Sequence, residues 1–490
     1  MDRLTTLDAE FLHIDDGVGH MHIAALCIFE NPAPSLEELS ALIASKLHLI
    51  PRYRQRVRRV PLDLGRPVWV DDPDFHLDYH LRRTALPEPG GDEELTTLVG
   101  RLASQPLDPQ RPLWEIWLVE GLADGRWALV CKVHHCMVDG IAGMGLLTVL
   151  LDIGADTVIS EPEPWTPRNE PAGPALVLDA WMGLGGDLAS WASDIPHRVA
   201  HPLETLRGFS QLLGGVLGFV RNLTTTPKLS IEGEIGSHRR WAHSTASIAD
   251  VKTIRTAFGG TINDVVLTAV TGGYRALLVE HGEDPDCAQV RAMIPASVRA
   301  DDEEGANRVS MMLYELPVRL ADPVERLRAV QHDMSELKSS HMVEAGAAIF
   351  DLGDFFPPAV IGMATRLAVR TEHSHPQQVV NTVVTNIPGP QFPIYCLGRK
   401  MLATYPYVGI SYGVRITTAV LSYDGRLNFG VTGDYDTATD ISVIADATAA
   451  GITELRSRAL TPTKAPPKAK TNAPKADQTA RARRGRGRQA

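Results

Sequence analysis

From Trp127 the chain reads WALVCKVHH. Period-two alternation places Trp127, Leu129, Cys131, Val133 and His135 on one face of an extended strand, and Ala128, Val130, Lys132 and His134 on the other. Four apolar residues therefore lead up to one imidazole, and its neighbour points the opposite way. Met21–Glu30 (MHIAALCIFE) is a second strand-like stretch. Over Ser35–Leu49 the apolar period lengthens: Leu36, Leu39, Leu42, Ile43 and Leu47 trace one helical face, and Ser35 with Glu38 forms a capping-box pattern. Ile141–Asp152 reads as a buried helix, entered across Gly140 and Gly143, which permit a tight strand-to-helix turn. Further on, Thr261–Leu278 predicts a helix, and Gln289–Ile294, Arg308–Leu316, Val379–Thr385 and Arg415–Ser422 predict strands. The expected fold class is α/β.

These patterns fall into two blocks with a different composition between and after them. Residues 1–160 and 236–460 carry the mixed α and β signals. Residues 161–235 open with a Pro-rich run, EPEPWTPRNEPAGP, and continue in two Leu/Trp/Gly-rich stretches, about 175–193 and 202–222, read as linker helices that pack on the body or touch a membrane. Residues 461–490 are Pro/Ala/Lys/Arg/Gly-rich and predict a disordered tail. Length fits this division, since 490 residues are enough for two domains of about 200.

Charge sharpens the contrast. The whole chain carries −11, yet residues 461–490 hold nine Lys/Arg and one acid, +8, leaving −19 on the rest. An acidic body thus ends in a basic tail. Five cysteines, odd in number and without a CxxC pair, argue against a disulfide framework or a zinc ribbon and suit a reducing cytosol. No apolar segment reads as a secretory signal or a membrane span. The expectation is a cytoplasmic protein that meets membranes peripherally.

The chemistry is expected at His134-His135-Cys136-Met137-Val138-Asp139-Gly140. A neutral imidazole near pH 7 is suited to taking the proton of an alcohol as it attacks a carbonyl, and an apolar wall beside His135 favours its neutral form. Asp139 has no need to touch substrate, and it can hold the loop or cap the following helix. A metal is not expected, because opposed histidines chelate poorly and no third strong ligand lies nearby. Nor is Cys136 expected as a nucleophile beside a histidine that diverges from it.

HHCMVDG resembles the HHxxxDG signature of acyl-CoA-dependent acyltransferases, which include chloramphenicol acetyltransferase, carnitine acyltransferases and nonribosomal peptide condensation domains. DPQRPLWE (108–115) resembles the PLW block of the bacterial wax ester synthase/diacylglycerol acyltransferase family, and TINDVVL (261–267) its ND block. LTTLDAEFLHID at the start, RAMIPASVR (291–299), NRVSM (307–311) and TVVTNIPGP (382–390) resemble further blocks of that family in consistent order. The set is most similar to actinobacterial triacylglycerol synthases. The chain departs from the family at Ile231–Gly236, IEGEIG, where LNGPIG is more usual.

The resemblance implies two chloramphenicol-acetyltransferase-like domains joined by a helical linker, with acyl-CoA and the acceptor meeting in a tunnel between them. It implies His135 as the base, and His134, Asp139 and Gly140 as its motif support. Pro112, Leu113 and Trp114 match the PLW positions, and Asn263 and Asp264 the ND positions. Read from the residues alone, Pro-Leu-Trp is also a packing turn. Asp264 is also the capping-box partner of Thr261, and Asn263 either bonds locally or faces the cleft. The implied reaction makes triacylglycerol from long-chain acyl-CoA and diacylglycerol, with acyl-CoA as substrate and no cofactor. Wax ester synthesis from a long-chain alcohol and a non-catalytic lipid-droplet protein are the alternatives. With lipid substrates, the basic tail reads as a tether to an anionic membrane or droplet surface, in preference to a nucleic-acid arm.

Overall fold

The computed structural model describes residues 2–15, 17–61, 64–137, 149–180, 182, 228–298, 308–339, 380–411 and 413–461. Asp139 and Gly140, most of the predicted helix 141–152, most of the linker and all but the first residue of the basic tail lie outside them.

Helix α1 (Thr6–Ile14) starts where the Thr5 hydroxyl accepts the Asp8 N–H, and helix α2 (Leu36–Lys46) starts at the complete Ser35/Glu38 capping box. The strands, in chain order, are β1 (His22–Phe29), β2 (Gln55–Arg58), β3 (Val68–Asp71), β4 (Leu81–Ala85), β5 (Trp114–Glu120), β6 (Trp127–His134), β7 (Arg239–Ser247), β8 (Val290–Val298), β9 (Arg308–Leu316), β10 (Thr382–Ile387), β11 (Tyr395–Cys396), β12 (Arg399–Val408), β13 (Ile416–Tyr423) and β14 (Arg426–Asp434). They form one six-stranded sheet in the order β11-β12-β1-β6-β5-β4, a second in the order β7-β14-β13-β10-β8-β9, and the small pair β2-β3.

The chain does not keep its halves apart. β12, from the C-terminal half, pairs antiparallel with β1 from Ile23↔Val408 to Cys27↔Thr404, so the first sheet is completed from far along the chain. The two sheets meet where Gly430 on β14 lies against the Pro406 carbonyl of β12; a Cβ there would fall inside van der Waals contact, and only glycine permits the approach. The helix Asp92–Ser104 fills the other side of the seam. Its Leu95, Leu98 and Leu102 pack with Leu26, Val130 and Trp241, joining β1, β6 and β7 in one core.

The faces of β6 separate as alternation demands. Trp127 and Leu129 sit in the core that α2 covers, with Cys131 and Val133 packed at its edge, whereas Ala128 and Val130 sit in the core at the seam. Lys132 lies on the seam face, fully buried. Its ammonium donates to the Leu102 and Gln105 carbonyls and stands 3.3 Å from Glu115, so the charge is compensated by the C-terminal carbonyls of a helix and by a carboxylate. In the second half, helices Ile262–Glu280 and Ser442–Leu460 pack together on one face of the second sheet. Of the first linker stretch, residues 173–180 are helical and seat Leu176 and Ala180 against Val60, Val68 and Val70. No helix among the described residues is long and apolar enough to cross a membrane.

Candidate active site

β6 ends at His134, and His135–Met137 continue as a 3-10 turn. Two backbone hydrogen bonds fix the junction. The His134 N–H donates to the Leu113 carbonyl at 2.9 Å, and the His135 N–H donates to the Met21 carbonyl at 2.8 Å. The turn is therefore held on one side by the Pro-Leu-Trp block and on the other by the residue preceding β1.

The two rings diverge. His135 turns to α1, where its ring centroid lies 4.0 Å from that of Phe11 at a 38° tilt. Its Nδ1 is buried and meets no hydrogen-bond partner among the described residues. Burial pushes the imidazole pKa down to about 4; the neighbouring His134 adds to the shift and the ring's own backbone carbonyl opposes it. His135 is accordingly a neutral imidazole throughout the physiological range. His134 turns the other way. Its Nδ1 accepts the Cys136 N–H at 3.2 Å, and its Nε2 faces Asp15 Oδ2 at 3.4 Å. Two more imidazoles stand beside Asp15 on the seam side: His20, buried, with neither ring nitrogen hydrogen-bonded among the described residues, and His22, whose Nε2 is 2.7 Å from the Ala103 carbonyl and whose ring stacks on His20 and Tyr407.

Burial pushes the Cys136 thiol far above its ordinary value. The thiol is thus a poor source of thiolate at neutral pH. Among the described residues no three His, Cys, Asp or Glu side chains are grouped to hold a metal ion.

Trp114 is buried between Tyr53 and His80, stacked on both at centroid distances of 4.6 and 4.4 Å, and its indole N–H donates to the Tyr53 carbonyl. It pairs with Val133 across the β5–β6 ladder. Pro112, Leu113 and Trp114 thus brace the end of the histidine strand from behind. On the second half, Thr261 and Asp264 form the capping box of helix Ile262–Glu280. The Asn263 amide oxygen accepts from Asn386 Nδ2 at 3.0 Å, which links the ND block to the TNIPGP block on β10. Asp264 Oδ1 is buried without a hydrogen-bond partner among the described residues. Phe11, Asp15, His20 and His22 at the histidine turn escaped the sequence reading, since no local spacing ties them to residues 134–136.

An imidazole of this kind accepts a proton from a hydroxyl without first having to lose one of its own. The pattern of the wax ester synthase/diacylglycerol acyltransferase catalytic domain matches residues 4–266, and that of the family's C-terminal domain matches residues 305–456. The chain is 37% identical over 449 residues to a probable diacylglycerol O-acyltransferase, tgs1, of Mycobacterium tuberculosis, covering 91% of this chain and 94% of that one. Among solved structures it is similar to the wax ester synthase/diacylglycerol acyltransferase of Marinobacter aquaeolei, with 26% identity, a TM-score of 0.64, and 93% and 99% of the two chains covered. A condensation domain of the calcium-dependent antibiotic synthetase shares the fold at 15% identity and a TM-score of 0.58, with 94% and 97% covered. The architecture is a pair of chloramphenicol-acetyltransferase-like α/β domains.

Proposed function

We infer the reaction from the premise that this chain belongs to the wax ester synthase/diacylglycerol acyltransferase family and is an acyltransferase. We propose that it esterifies diacylglycerol with a long-chain acyl group from acyl-CoA, giving triacylglycerol and free CoA, with His135 as general base. The observation that carries this reading is the neutral imidazole at the end of β6, sealed by Phe11 on one side and fixed through its backbone by Met21.

His135 takes the acceptor's hydroxyl proton as the oxygen attacks the thioester carbonyl. A tetrahedral intermediate forms and collapses with loss of the CoA sulfur, which recovers the proton from the imidazolium. The imidazole ends the cycle as it began, and no cofactor enters the proton balance. Burial lowers the basicity of the ring, but it keeps the base in its working form and excludes water that would hydrolyse the thioester. We assign Asp139 and Gly140 to holding the turn, and the Pro112-Leu113-Trp114 brace to keeping the strand end in place. Asn263 and Asp264 are assigned to the opposite wall of the cleft, where their bonds to Asn386 and Thr261 set the start of a helix. The acceptor and acyl chain are lipids, so the protein is placed at the membrane or droplet surface.

Wax ester synthesis from a long-chain alcohol is the second reading, favoured by the likeness to the Marinobacter enzyme, whose name carries both activities. Radiolabelled oleoyl-CoA offered to diacylglycerol and to hexadecanol, with products separated by thin-layer chromatography, decides between them. His135→Ala is expected to lower kcat for the accepted substrate by about 10²–10⁴ while the protein stays folded. Near-normal turnover by folded His135→Ala would remove the base from the scheme.

A further inference from the structure

Asp15 stands at the end of α1, in the HID that closes the N-terminal block. Its backbone N–H donates to the Phe11 carbonyl at 3.2 Å, so it is tied to the residue whose ring covers His135. Its side chain, about a quarter exposed, divides its two oxygens between two tasks. Oδ1 accepts the Gly17 N–H at 3.3 Å and lies 3.9 Å from His20 Nδ1. Oδ2 accepts the Met21 N–H at 3.2 Å and lies 3.4 Å from His134 Nε2. Both partners of Oδ2 lead to the catalytic turn. Met21 passes its carbonyl to the His135 N–H at 2.8 Å, and His134 passes its Nδ1 to the Cys136 N–H at 3.2 Å. A neutral His134 whose Nδ1 accepts a backbone N–H must carry its proton on Nε2, the nitrogen that faces the carboxylate. Burial acts to raise the Asp15 pKa, but the His134 and His20 rings and the Met21 N–H overcome it and hold the carboxyl well below the usual carboxylate range.

We propose that Asp15 is a positioning residue for the acyl-transfer base: through Met21 on one side and the Nε2–H tautomer of His134 on the other, a single carboxylate oxygen sets the turn from which His135 reaches the substrate. The proposal rests on the reading of His135 as the base. A carboxylate that only capped the loop at Gly17 and Met21 would make the same backbone bonds with no stake in the tautomer of His134. The geometry instead joins residues 15, 21, 134, 135 and 136 in one chain of contacts. Misplacement of a base by about 1 Å costs on the order of 100-fold in rate, so such a hub matters for turnover out of proportion to its bonds.

The test uses the full-length protein, oleoyl-CoA and the acceptor it accepts best. Asp15→Asn turns at least one carboxylate–donor contact into a meeting of two donors. It is expected to lower kcat about 10–100-fold and to change KM for oleoyl-CoA by less than about threefold. Asp15→Glu, which keeps the charge, is expected to recover most of kcat. The double variant Asp15→Asn/His134→Asn is expected to be slower than His134→Asn alone by clearly less than the factor Asp15→Asn costs in the unaltered background, because the His134 arm is already gone and only the Met21 arm remains to be lost. Wild-type kcat in Asp15→Asn, equal losses in the Asn and Glu variants, or losses that multiply in the double variant would each overturn the proposal. A measurement on the unaltered protein stands apart from the folding of any variant. In histidine-selective ¹⁵N spectra at pH 7, with His134 assigned by its absence in His134→Asn, the ring is expected as the Nε2–H tautomer, and an Nδ1–H or doubly protonated ring overturns the proposal. His135→Ala in the same series separates the two layers. If it keeps turnover, the base reading falls; if it is inactive while Asp15→Asn is fully active, only the role of Asp15 falls.

Discussion

Phe11 offers the most direct probe of how the fold sets the basicity of His135. A free histidine titrates near 6.5, whereas burial lowers His135 to about 4, a difference worth about 3 kcal/mol against the charged ring. One wall of that burial is the Phe11 ring at 4.0 Å. Phe11→Ala opens this wall to water. If the open face relieves about a third to a half of the penalty, the pKa rises by about one unit, to about 5. Phe11→Leu keeps the wall apolar and should leave it near 4. The deletion also costs stability, about 3–5 kcal/mol for a buried Phe→Ala, which is why the leucine variant belongs in the experiment. The assay is kcat/KM from pH 3.5 to 8, measured as labelled ester formed from oleoyl-CoA in short incubations. Circular dichroism at each pH separates loss of the base from loss of the fold. The acid limb is expected near 4 in the wild type and in Phe11→Leu, and near 5 in Phe11→Ala. An acid limb that stays put in folded Phe11→Ala, or that moves equally in both variants, would refute the idea that this aromatic wall tunes the base.

Trp114→Ala removes two ring stacks and the N–H···O bond to Tyr53, and is expected to lower stability to urea by about 3–5 kcal/mol, with kcat falling further than in a core substitution away from β6. Glu232, buried and hydrogen-bonded to Asn381, has its pKa raised to about 7 by burial. The folded state therefore binds a proton between about 4.5 and 7 that the unfolded state has lost, so this group's contribution to stability declines as pH rises through that window. Glu232→Gln should accordingly raise Tm at pH 8 and change it little at pH 5, and an unchanged Tm at pH 8 would contradict the buried-charge account. Deleting residues 461–490, with their nine cations, should leave turnover on detergent-dispersed substrate intact and reduce co-sedimentation with phosphatidylglycerol vesicles at low salt, each bound cation adding up to about 1 kcal/mol. Equal sedimentation of both forms would exclude the tail as a tether.

What the sequence made legible was local. The facing of β6, the capping boxes at Ser35/Glu38 and Thr261/Asp264, and the opposed histidines all follow from spacing within a few residues, and the structure shows each of them. The predicted helix at Thr261–Leu278 and the strands around 290, 308, 382 and 416 differ from the observed ones by only a few residues at their ends. Other features depend on contacts between distant parts of the chain. Asp15 meets His134 across 119 positions, Asn263 meets Asn386 across 123, and neither pair leaves a mark in periodicity. The strand at Arg399–Val408 is absent from the sequence reading, and its register with β1 makes it part of the first sheet although it lies in the second half of the chain. The Pro-Leu-Trp block could be read as packing or as chemistry. The structure makes the packing concrete, since the Leu113 carbonyl holds the N–H of His134.

That crossing of β12 has a consequence for how the protein is made. β1 is complete once residue 29 has left the ribosome, yet its partner on one edge spans residues 399–408. At about 5–20 residues per second, about 20–75 s of synthesis separate the two, and during that time one edge of the histidine-bearing sheet offers unpaired N–H and C=O groups to whatever passes. The nascent first half thus carries an aggregation-prone strand edge until β12 arrives. A fragment ending before Tyr395 would carry every residue of the histidine turn and still lack the strand that closes the sheet beside it.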